Sequence, residues 1–228
     1  MKIIIIADSL AMPRTDLPYE ETWIKVVKNH FKDFDIIDKS ARGTTSLRLI
    51  TEGGGGVDLL EMYCPNFVVL QLGITDCAPR YFNKNSFEYT FLNKYIPPKL
   101  RIKYINRIKR KRIRDPLKTE ISPEAYRAHI EAFIIRAKKI GTSVIAIPIA
   151  PATSEFIKKS PHISENIERY NSILYALEKI YDNVFIIDPF LNVISIDNIM
   201  LDELHPNEKG SELIAESVIQ FLLKISKQ

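Results

Sequence analysis

The sequence is poor in the residues that build disulfides and metal sites. It has two cysteines and four histidines among 228 residues. Cys64 and Cys77 do not form a Cys-x-x-Cys pair, no His-Glu-x-x-His motif occurs, and the histidines are widely dispersed. We therefore expect reduced thiols and no metal, which argues against a zinc enzyme and against a disulfide-stabilised fold.

Long apolar runs are also missing. No stretch approaches the roughly 18–20 apolar residues that a membrane-spanning helix needs. The run Ile3–Ile6 is soon interrupted by Asp8, which makes it too short for the core of a signal peptide. Hydrophobic residues make up 46% of the chain and charged residues 26%, as in soluble globular proteins. We expect a single cytoplasmic domain over residues 1–228.

The net charge of +4 hides one strongly basic segment. Residues 99–118 contain ten Lys or Arg and one Asp. This segment therefore carries +9, and the rest of the chain is acidic by five charges. It belongs to a basic and aromatic stretch, about 79–120, which interrupts an otherwise regular pattern and is interpreted as an insertion.

Three interpretations of the basic segment stay open. It can be a solvated helix face. It can be an amphipathic helix on an anionic membrane surface, at the inner face of the membrane, because Leu100, Tyr104, Ile105 and Ile108 follow helical spacing. Nucleic acid is the least favoured partner, since no recognised binding motif accompanies the charge.

Apolar runs recur along the chain with helical patterns between them. Most runs are continuous rather than alternating, which indicates strands buried on both faces of a parallel sheet. The predicted strands are Ile3–Ala7, Phe34–Ile37, Phe67–Leu72, Ser143–Ile147 and Val184–Ile187. The predicted helices are Tyr19–Phe31, one that begins at Ser122-Pro123 and ends before Gly141, Ile163–Ile180 and Glu208–Ile225. This alternation predicts a doubly wound α/β sandwich.

Residues with catalytic chemistry follow the predicted strands. Ser9 follows the first strand, Gly43 the second, Gly73–Asp76 the third, and Asp202–His205 the fifth. The carboxyl ends of parallel strands share one edge, where ligands bind in such sheets. A serine hydroxyl becomes a nucleophile when a histidine takes its proton and a carboxylate orients that histidine.

Each of these residues also has a purely structural interpretation. Asp8 and Ser9 can cap a helix near residue 10, and Gly43 can be a turn glycine. His205 precedes a proline, as histidines in structural turns often do. Arg80 can meet an anionic substrate group or lie on the surface. The placement of the polar residues at one sheet edge favours a catalytic Ser9, Asp202 and His205 over the structural interpretation.

Four short blocks resemble those of the SGNH/GDSL hydrolases. Ala7-Asp8-Ser9-Leu10 is similar to the Gly-Asp-Ser-Leu block, with Ala7 in place of glycine. Gly43 matches the glycine of the second block. Gly73-Ile74-Thr75-Asp76 resembles Gly-x-Asn-Asp, with Thr75 in place of asparagine, and Asp202-x-x-His205 matches the last block. The order and spacing cover most of the chain outside the insertion.

The resemblance implies a flavodoxin-like three-layer α/β/α sandwich with a five-stranded parallel sheet. It implies that Ser9 attacks an acyl ester, that His205 transfers the proton and that Asp202 orients His205, without metal or organic cofactor. The oxyanion hole would use the N–H groups of Ser9 and Gly43 and the side chain of Thr75. Asp8, Gly73 and Asp76 would support the loops, Asp76 by its hydrogen bonds.

The expected substrate is an acyl ester, and the resemblance suggests O-acetyl or O-acyl groups on a carbohydrate. Two alternatives remain. One is an acyltransferase that uses the same serine and excludes water. The other is a non-catalytic relative that binds a glycan or a membrane surface, and the replacements at Ala7 and Thr75 motivate it.

Overall fold

A computed structural model describes residues 1–51, 56–79, 87–109 and 119–225. Two parts of the sequence interpretation lie outside the described residues. They are Arg80 and the second half of the basic segment (110–118).

The described residues contain one five-stranded sheet in which every pair of neighbouring strands is parallel. Its order is β2-β1-β3-β4-β5. The strands are β1 (Lys2–Ala7), β2 (Asp35–Asp38), β3 (Phe67–Gln71), β4 (Ser143–Ala146) and β5 (Val184–Ile186). The predicted strands are confirmed to within one residue at each end. Because the chain winds one way from β1 to β2 and the other way from β3 to β5, the sheet has a topological switch point beside β1.

The helices connect the strands in the predicted order. They are α1 (Trp23–His30), α2 (Gly56–Leu59), α3 (Ile74–Cys77), α4 (Phe87–Tyr95), α5 (Pro98–Lys109), α6 (Pro123–Lys139), α7 (Ser154–Lys159), α8 (Ile163–Ile180) and α9 (Glu208–Ile225). Short 3-10 helices cover Ser9–Ala11, Tyr19–Glu21, Ser46–Leu49 and Ile196–Ile199. The three-layer α/β/α fold predicted from the sequence is confirmed.

The isoleucine run of β1 is buried on both faces because the sheet is covered on both sides. Ile4 and Ile6 pack in one apolar cluster with Tyr126 of α6. Ile3 and Ile5 pack in the other with Trp23 of α1. Successive side chains of a strand point to opposite faces, so a strand between two helical layers needs apolar residues at every position.

Local signals set the helix boundaries. Ser122 accepts a hydrogen bond from the Ala125 N–H, Pro123 begins α6, and Gly141 follows it with a positive φ of 73°, as predicted. The predicted helix over residues 19–31 is wrong in its first turn. Thr22 has extended backbone and its hydroxyl caps α1, so the helix begins only at Trp23.

The described part of the insertion contains α4 and α5, which bear several exposed apolar side chains. Phe87, Phe91 and Tyr95 lie at helical spacing on α4, and Leu100, Ile102 and Tyr104 lie on α5. Among the described residues, no helix has the length and apolarity needed to cross a membrane.

Candidate active site

Ser9 lies directly beyond the carboxyl end of β1. The N–H of Asp8 donates to the Gln71 carbonyl of β3 at 3.4 Å, which continues the sheet one residue further. The buried Asp8 carboxylate then accepts the Leu10 N–H at 2.8 Å and caps the 3-10 turn that begins at Ser9. The capping role that the sequence allowed for Asp8 is therefore present, and it fixes the backbone that carries the serine.

Asp202 and His205 lie in a tight loop before α9. Met200 and Pro206 pair as an antiparallel bridge, and the Leu201 N–H donates to the His205 carbonyl at 2.7 Å. Asp202 Oδ1 accepts the N–H groups of Leu204 and His205 at 3.0 and 2.9 Å. The carboxylate is therefore held by the backbone of the same loop that carries the imidazole.

The structure brings Ser9, His205 and Asp202 together across almost the whole chain. His205 Nδ1 lies 2.8 Å from both oxygens of Asp202, and its Nε2 lies 3.2 Å from Ser9 Oγ. Because an ionised carboxylate only accepts hydrogen bonds, Nδ1 carries the proton, and Nε2, on the side of Ser9, is the unprotonated nitrogen. This is the geometry that a serine nucleophile and its base require.

The electrostatics of the loop suit a neutral base. Burial lowers the pKa of His205, Asp202 opposes this effect, and Arg14 and Arg42 lower the pKa further, so that the net shift is downward. Burial raises the pKa of Asp202, but the Leu204 and His205 hydrogen bonds outweigh it and leave the pKa below its ordinary value. At neutral pH the pair is therefore a carboxylate beside a neutral imidazole.

Two backbone N–H groups, in the loops that follow β1 and β2, are candidate donors to an oxyanion. Gly43 follows β2 with a positive φ of 65°, and the Ala41 N–H donates to the Ala7 carbonyl at 3.0 Å, which ties this loop to the end of β1. Within the described residues, neither the Ser9 N–H nor the Gly43 N–H makes a hydrogen bond. These are the two backbone donors expected from the sequence.

Thr75 is differently engaged. It is buried in the first turn of α3, and its hydroxyl donates to Asp8 Oδ2 at 3.5 Å. A hydroxyl has one proton, so Thr75 would have to leave Asp8 in order to donate to a substrate oxygen. Its role as the third oxyanion donor stays a prediction, and the contact seen in the structure is a support for Asp8.

Gly73 and Asp76 shape the loop after β3. Gly73 has a φ of 135°, and a Cβ at this position would lie 2.7 Å from Ile149 Cδ1, so no larger residue fits without a shift. Buried Asp76 accepts both the N–H and the hydroxyl of Ser46, at 2.9 and 2.6 Å. Ser46 Oγ also lies 2.9 Å from His129 Nδ1. Asp76 thus anchors the segment that follows Gly43.

Arg14 is a site residue that the sequence interpretation missed. Its Nη2 contacts His205 Nε2, the same nitrogen that faces Ser9. The signal in the sequence is weak, because Arg14 is a single arginine in a loop five residues after the serine, and no block of the resemblance includes it. Only the folded loop shows that Arg14 reaches His205.

A cavity of 380 Å³ opens beside this contact and is lined by Pro13, Arg14, Thr15 and Arg42. Another cavity, of 620 Å³, lies between α8 and the loops after β4 and β5, with Ile149, Phe190 and Leu191 among its lining residues. None of Ser9, Asp202 and His205 is among the lining residues of either cavity. Arg14 connects the smaller, positively charged cavity to His205, because it lines that cavity and contacts the imidazole.

Other reactive groups near the site are inert or dispersed. Cys77 is completely buried, and its burial, together with the charge of Asp76, raises the pKa of its thiol far above the ordinary value. It is a neutral, packed thiol, whereas Cys64 is exposed. In the part of the chain that the structure describes, no three His, Cys, Asp or Glu side chains are grouped as metal ligands would be.

No protein-family model matches this sequence, and no sequence of a curated protein matches it significantly. Solved structures do match. The esterase EstA from Pseudoalteromonas is 18% identical with a TM-score of 0.62, and the match covers 100% of this chain and 99% of that one. The acetyl xylan esterase AlAXEase is 18% identical with a TM-score of 0.65, over 96% and 98% of the two chains. A G-D-S-L lipolytic family member from Veillonella parvula is 16% identical with a TM-score of 0.61, over 96% and 97%.

This chain has the SGNH/GDSL hydrolase fold. Each match extends over nearly the whole chain. The likeness therefore concerns the complete fold and not a local motif. At these identities the likeness concerns the SGNH/GDSL fold alone, and function has to be argued from the site.

Proposed function

We propose that this protein is a serine esterase that hydrolyses a carboxylic acyl ester through an acyl-Ser9 intermediate. The observation that carries the proposal is the continuous chain from Ser9 Oγ to His205 Nε2 and from His205 Nδ1 to Asp202. A structural role in a turn or a helix cap could account for Ser9 alone or for His205 alone. It does not account for the contact between these two side chains, which lie 196 positions apart in the sequence.

In the first half of the reaction, Ser9 Oγ attacks the acyl carbonyl carbon while His205 Nε2 takes the serine proton. The imidazolium that forms is stabilised by Asp202, whose two oxygens face Nδ1–H. His205 then returns the proton to the oxygen of the departing alcohol. In the second half, His205 deprotonates a water molecule that hydrolyses the acyl-Ser9 ester, which restores the free serine.

Negative charge develops on the carbonyl oxygen in both halves. The N–H groups of Ser9 and Gly43 are the donors we assign to it, since both are uncommitted within the described residues. Preorganised donors of this kind typically contribute about 10²–10³ each in turnover. The Gly43 loop is held in position by the hydrogen bonds of Asp76 to Ser46.

An O-acetyl or other O-acyl group on a carbohydrate is the substrate class we favour. Its support is the likeness of the fold to acetyl xylan esterases, among them AlAXEase and Axe2 from Geobacillus stearothermophilus. An acyltransferase would use the same acyl-Ser9 intermediate with an alcohol in place of water. Product analysis with and without added alcohols separates the two, because a transferase forms a new ester faster than free acid.

The experiment is hydrolysis of 4-nitrophenyl acetate by the wild type, Ser9→Ala, His205→Ala and the double variant. Each single variant should lose several orders of magnitude in kcat, and the double variant should be little worse, because the residues act as a unit. The matched control is Ser217→Ala, which removes a hydroxyl that, among the described residues, donates to the Leu213 carbonyl of its own helix. Wild-type rates in Ser9→Ala would overturn the proposal.

A further inference from the structure

Arg14 is held at the site by its own backbone. Its N–H donates to the Leu17 carbonyl at 2.8 Å, and its carbonyl accepts the Leu17 N–H at 3.2 Å. Leu17 is buried, with 2% of its surface exposed, so this turn is fastened to the apolar core. The guanidinium is therefore presented to His205 by an anchored turn rather than by a loose loop.

The guanidinium of Arg14 has few hydrogen-bond acceptors around it. Its Nη2 contacts His205 Nε2, but its buried Nε has no hydrogen-bond partner within the described residues. Asp202 and Asp8 attract it electrostatically, yet both carboxylates are engaged elsewhere. Asp202 accepts from His205 and Leu204, and Asp8 accepts from Leu10 and Thr75. Arg14 thus keeps donors available for another anion.

A second cation lines the same cavity. Arg42 is exposed, its Nη2 donates to the Pro13 carbonyl at 3.0 Å, and its charge acts unfavourably on Arg14. Two guanidinium groups in one cavity repel each other unless an anion lies between them. Carboxylate and phosphate groups fit this arrangement, because guanidinium binds both through paired N–H donors.

The contact atom on His205 shows which part of a substrate would meet Arg14. Nε2 accepts the Ser9 proton and later delivers it to the oxygen of the departing alcohol. A group that touches Nε2 therefore lies beside the position that the oxygen of the departing alcohol takes. While Arg14 donates to Nε2, it also occupies the lone pair that Ser9 needs.

We propose that Arg14 and Arg42 bind an anionic group, a carboxylate or a phosphate, on the alcohol part of the substrate, and that this binding draws Arg14 away from His205. The inference rests on the esterase function proposed above and adds the charge of its substrate. An anionic ester supplies a better acceptor for Arg14 than the imidazole nitrogen does, so it frees Nε2 as it binds. A neutral ester leaves Arg14 on His205 and reacts more slowly.

The test compares three acetate esters that differ in one substituent of a phenol: 3-acetoxybenzoate, 3-acetoxyphenyl phosphate and neutral 3-acetoxybenzamide. The wild type should show a higher kcat/KM for at least one anionic ester than for the benzamide, by about tenfold or more. The better of the two anionic esters identifies carboxylate or phosphate as the preferred group.

The variants are Arg14→Met, Arg14→Lys and the control Arg169→Met, which removes an exposed arginine from α8. Arg14→Met should remove the preference for anionic esters, because it raises KM for the anionic esters and raises the rate on the benzamide, where Arg14 no longer occupies Nε2 of His205. Arg14→Lys should keep part of the preference, and Arg169→Met should change neither. Thermal unfolding checks that each variant is folded.

Three outcomes would overturn the inference. The wild type could show no preference for either anionic ester. Arg14→Met could lower the rates on all three esters equally, which would make Arg14 a part of the general machinery. Alternatively, no ester could be hydrolysed and Ser9 could fail to react with an acylating probe, which would overturn the esterase function itself together with this inference.

Discussion

The Thr75 hydroxyl donates to Asp8 at 3.5 Å, on the carboxylate that caps the turn of the candidate nucleophile. This contact connects the third loop of the site to the first. It also uses the only proton that the Thr75 side chain could offer to an oxyanion.

We therefore expect Thr75→Val to lower kcat on 4-nitrophenyl acetate by less than about tenfold, which is less than the loss of an oxyanion donor usually costs. Valine keeps the shape of the side chain and removes the hydroxyl, and the N–H groups of Ser9 and Gly43 remain. A drop of about 10²-fold or more, with unchanged KM, would show that the hydroxyl turns to the substrate during the reaction.

The acid limb of the pH profile reports the state of His205. A general base works only when it is neutral, so kcat/KM falls as the pH drops through the pKa of the histidine. Burial is the largest cause that lowers this pKa, Asp202 opposes it, and Arg14 and Arg42 add to the lowering. With a neutral ester, we expect the limb to lie below pH 6.5, the ordinary histidine value.

Arg14→Met removes one cause of the lowering, so its acid limb should move to higher pH, whereas Arg169→Met should leave the limb in place. An Arg14→Met profile that coincides with the wild type would contradict the electrostatic contact between Arg14 and His205.

Gly73 tests the backbone of the site. Gly73→Ala places a Cβ within 2.7 Å of Ile149 Cδ1 at a φ of 135°, so it combines strain with a clash. Gly141→Ala is the matched control, with a φ of 73° and open space around the new Cβ. We expect Gly73→Ala to lower the free energy of unfolding, measured in urea, by about 1–3 kcal/mol more than Gly141→Ala does.

Ile149→Val, which removes Cδ1, should recover part of that loss in a double-mutant cycle. Equal costs for the two alanine variants would show that the packing around Gly73 is looser than in the structure.

The surface of α5 tests the membrane interpretation of the basic segment. Its exposed basic and apolar side chains predict binding to vesicles of anionic lipid, and this binding should weaken as salt rises. Replacing Lys99, Lys103 and Arg107 with Gln should remove the binding and leave 4-nitrophenyl acetate hydrolysis unchanged. The control replaces exposed Lys32, Lys158 and Lys179, which lie on other elements. Wild-type protein that ignores such vesicles at low salt would leave a solvated helix face as the explanation.

The sheet was predictable because its strands are buried on both faces. A continuous apolar run such as Ile3–Ile6 favours a strand that is covered on both faces. Helix boundaries were predictable because a cap such as Ser122 bonds to a residue within one turn of the chain. The candidate triad was predictable for a related reason, since its residues follow strand ends and parallel strands place those ends at one edge.

The contacts that loops make could not be predicted from the sequence. Arg14 reaches His205, 191 residues away, because the turn at Leu17 orients it, and no spacing rule encodes that turn. The hydroxyl of Thr75 could face a substrate or a carboxylate, and only the packing of Asp8 against α3 decides between them. Helix α1 begins later than predicted because Thr22 has extended backbone and its hydroxyl caps the helix.

The most direct test of the esterase mechanism is covalent labelling of Ser9. Purified protein is treated with a fluorophosphonate probe, digested, and analysed by mass spectrometry to locate the modified residue. We predict about one label per chain on Ser9, lost in Ser9→Ala, strongly reduced in His205→Ala and unchanged in Ser217→Ala. Labelling at another residue, or no labelling of the folded wild type, would contradict an acyl-Ser9 mechanism.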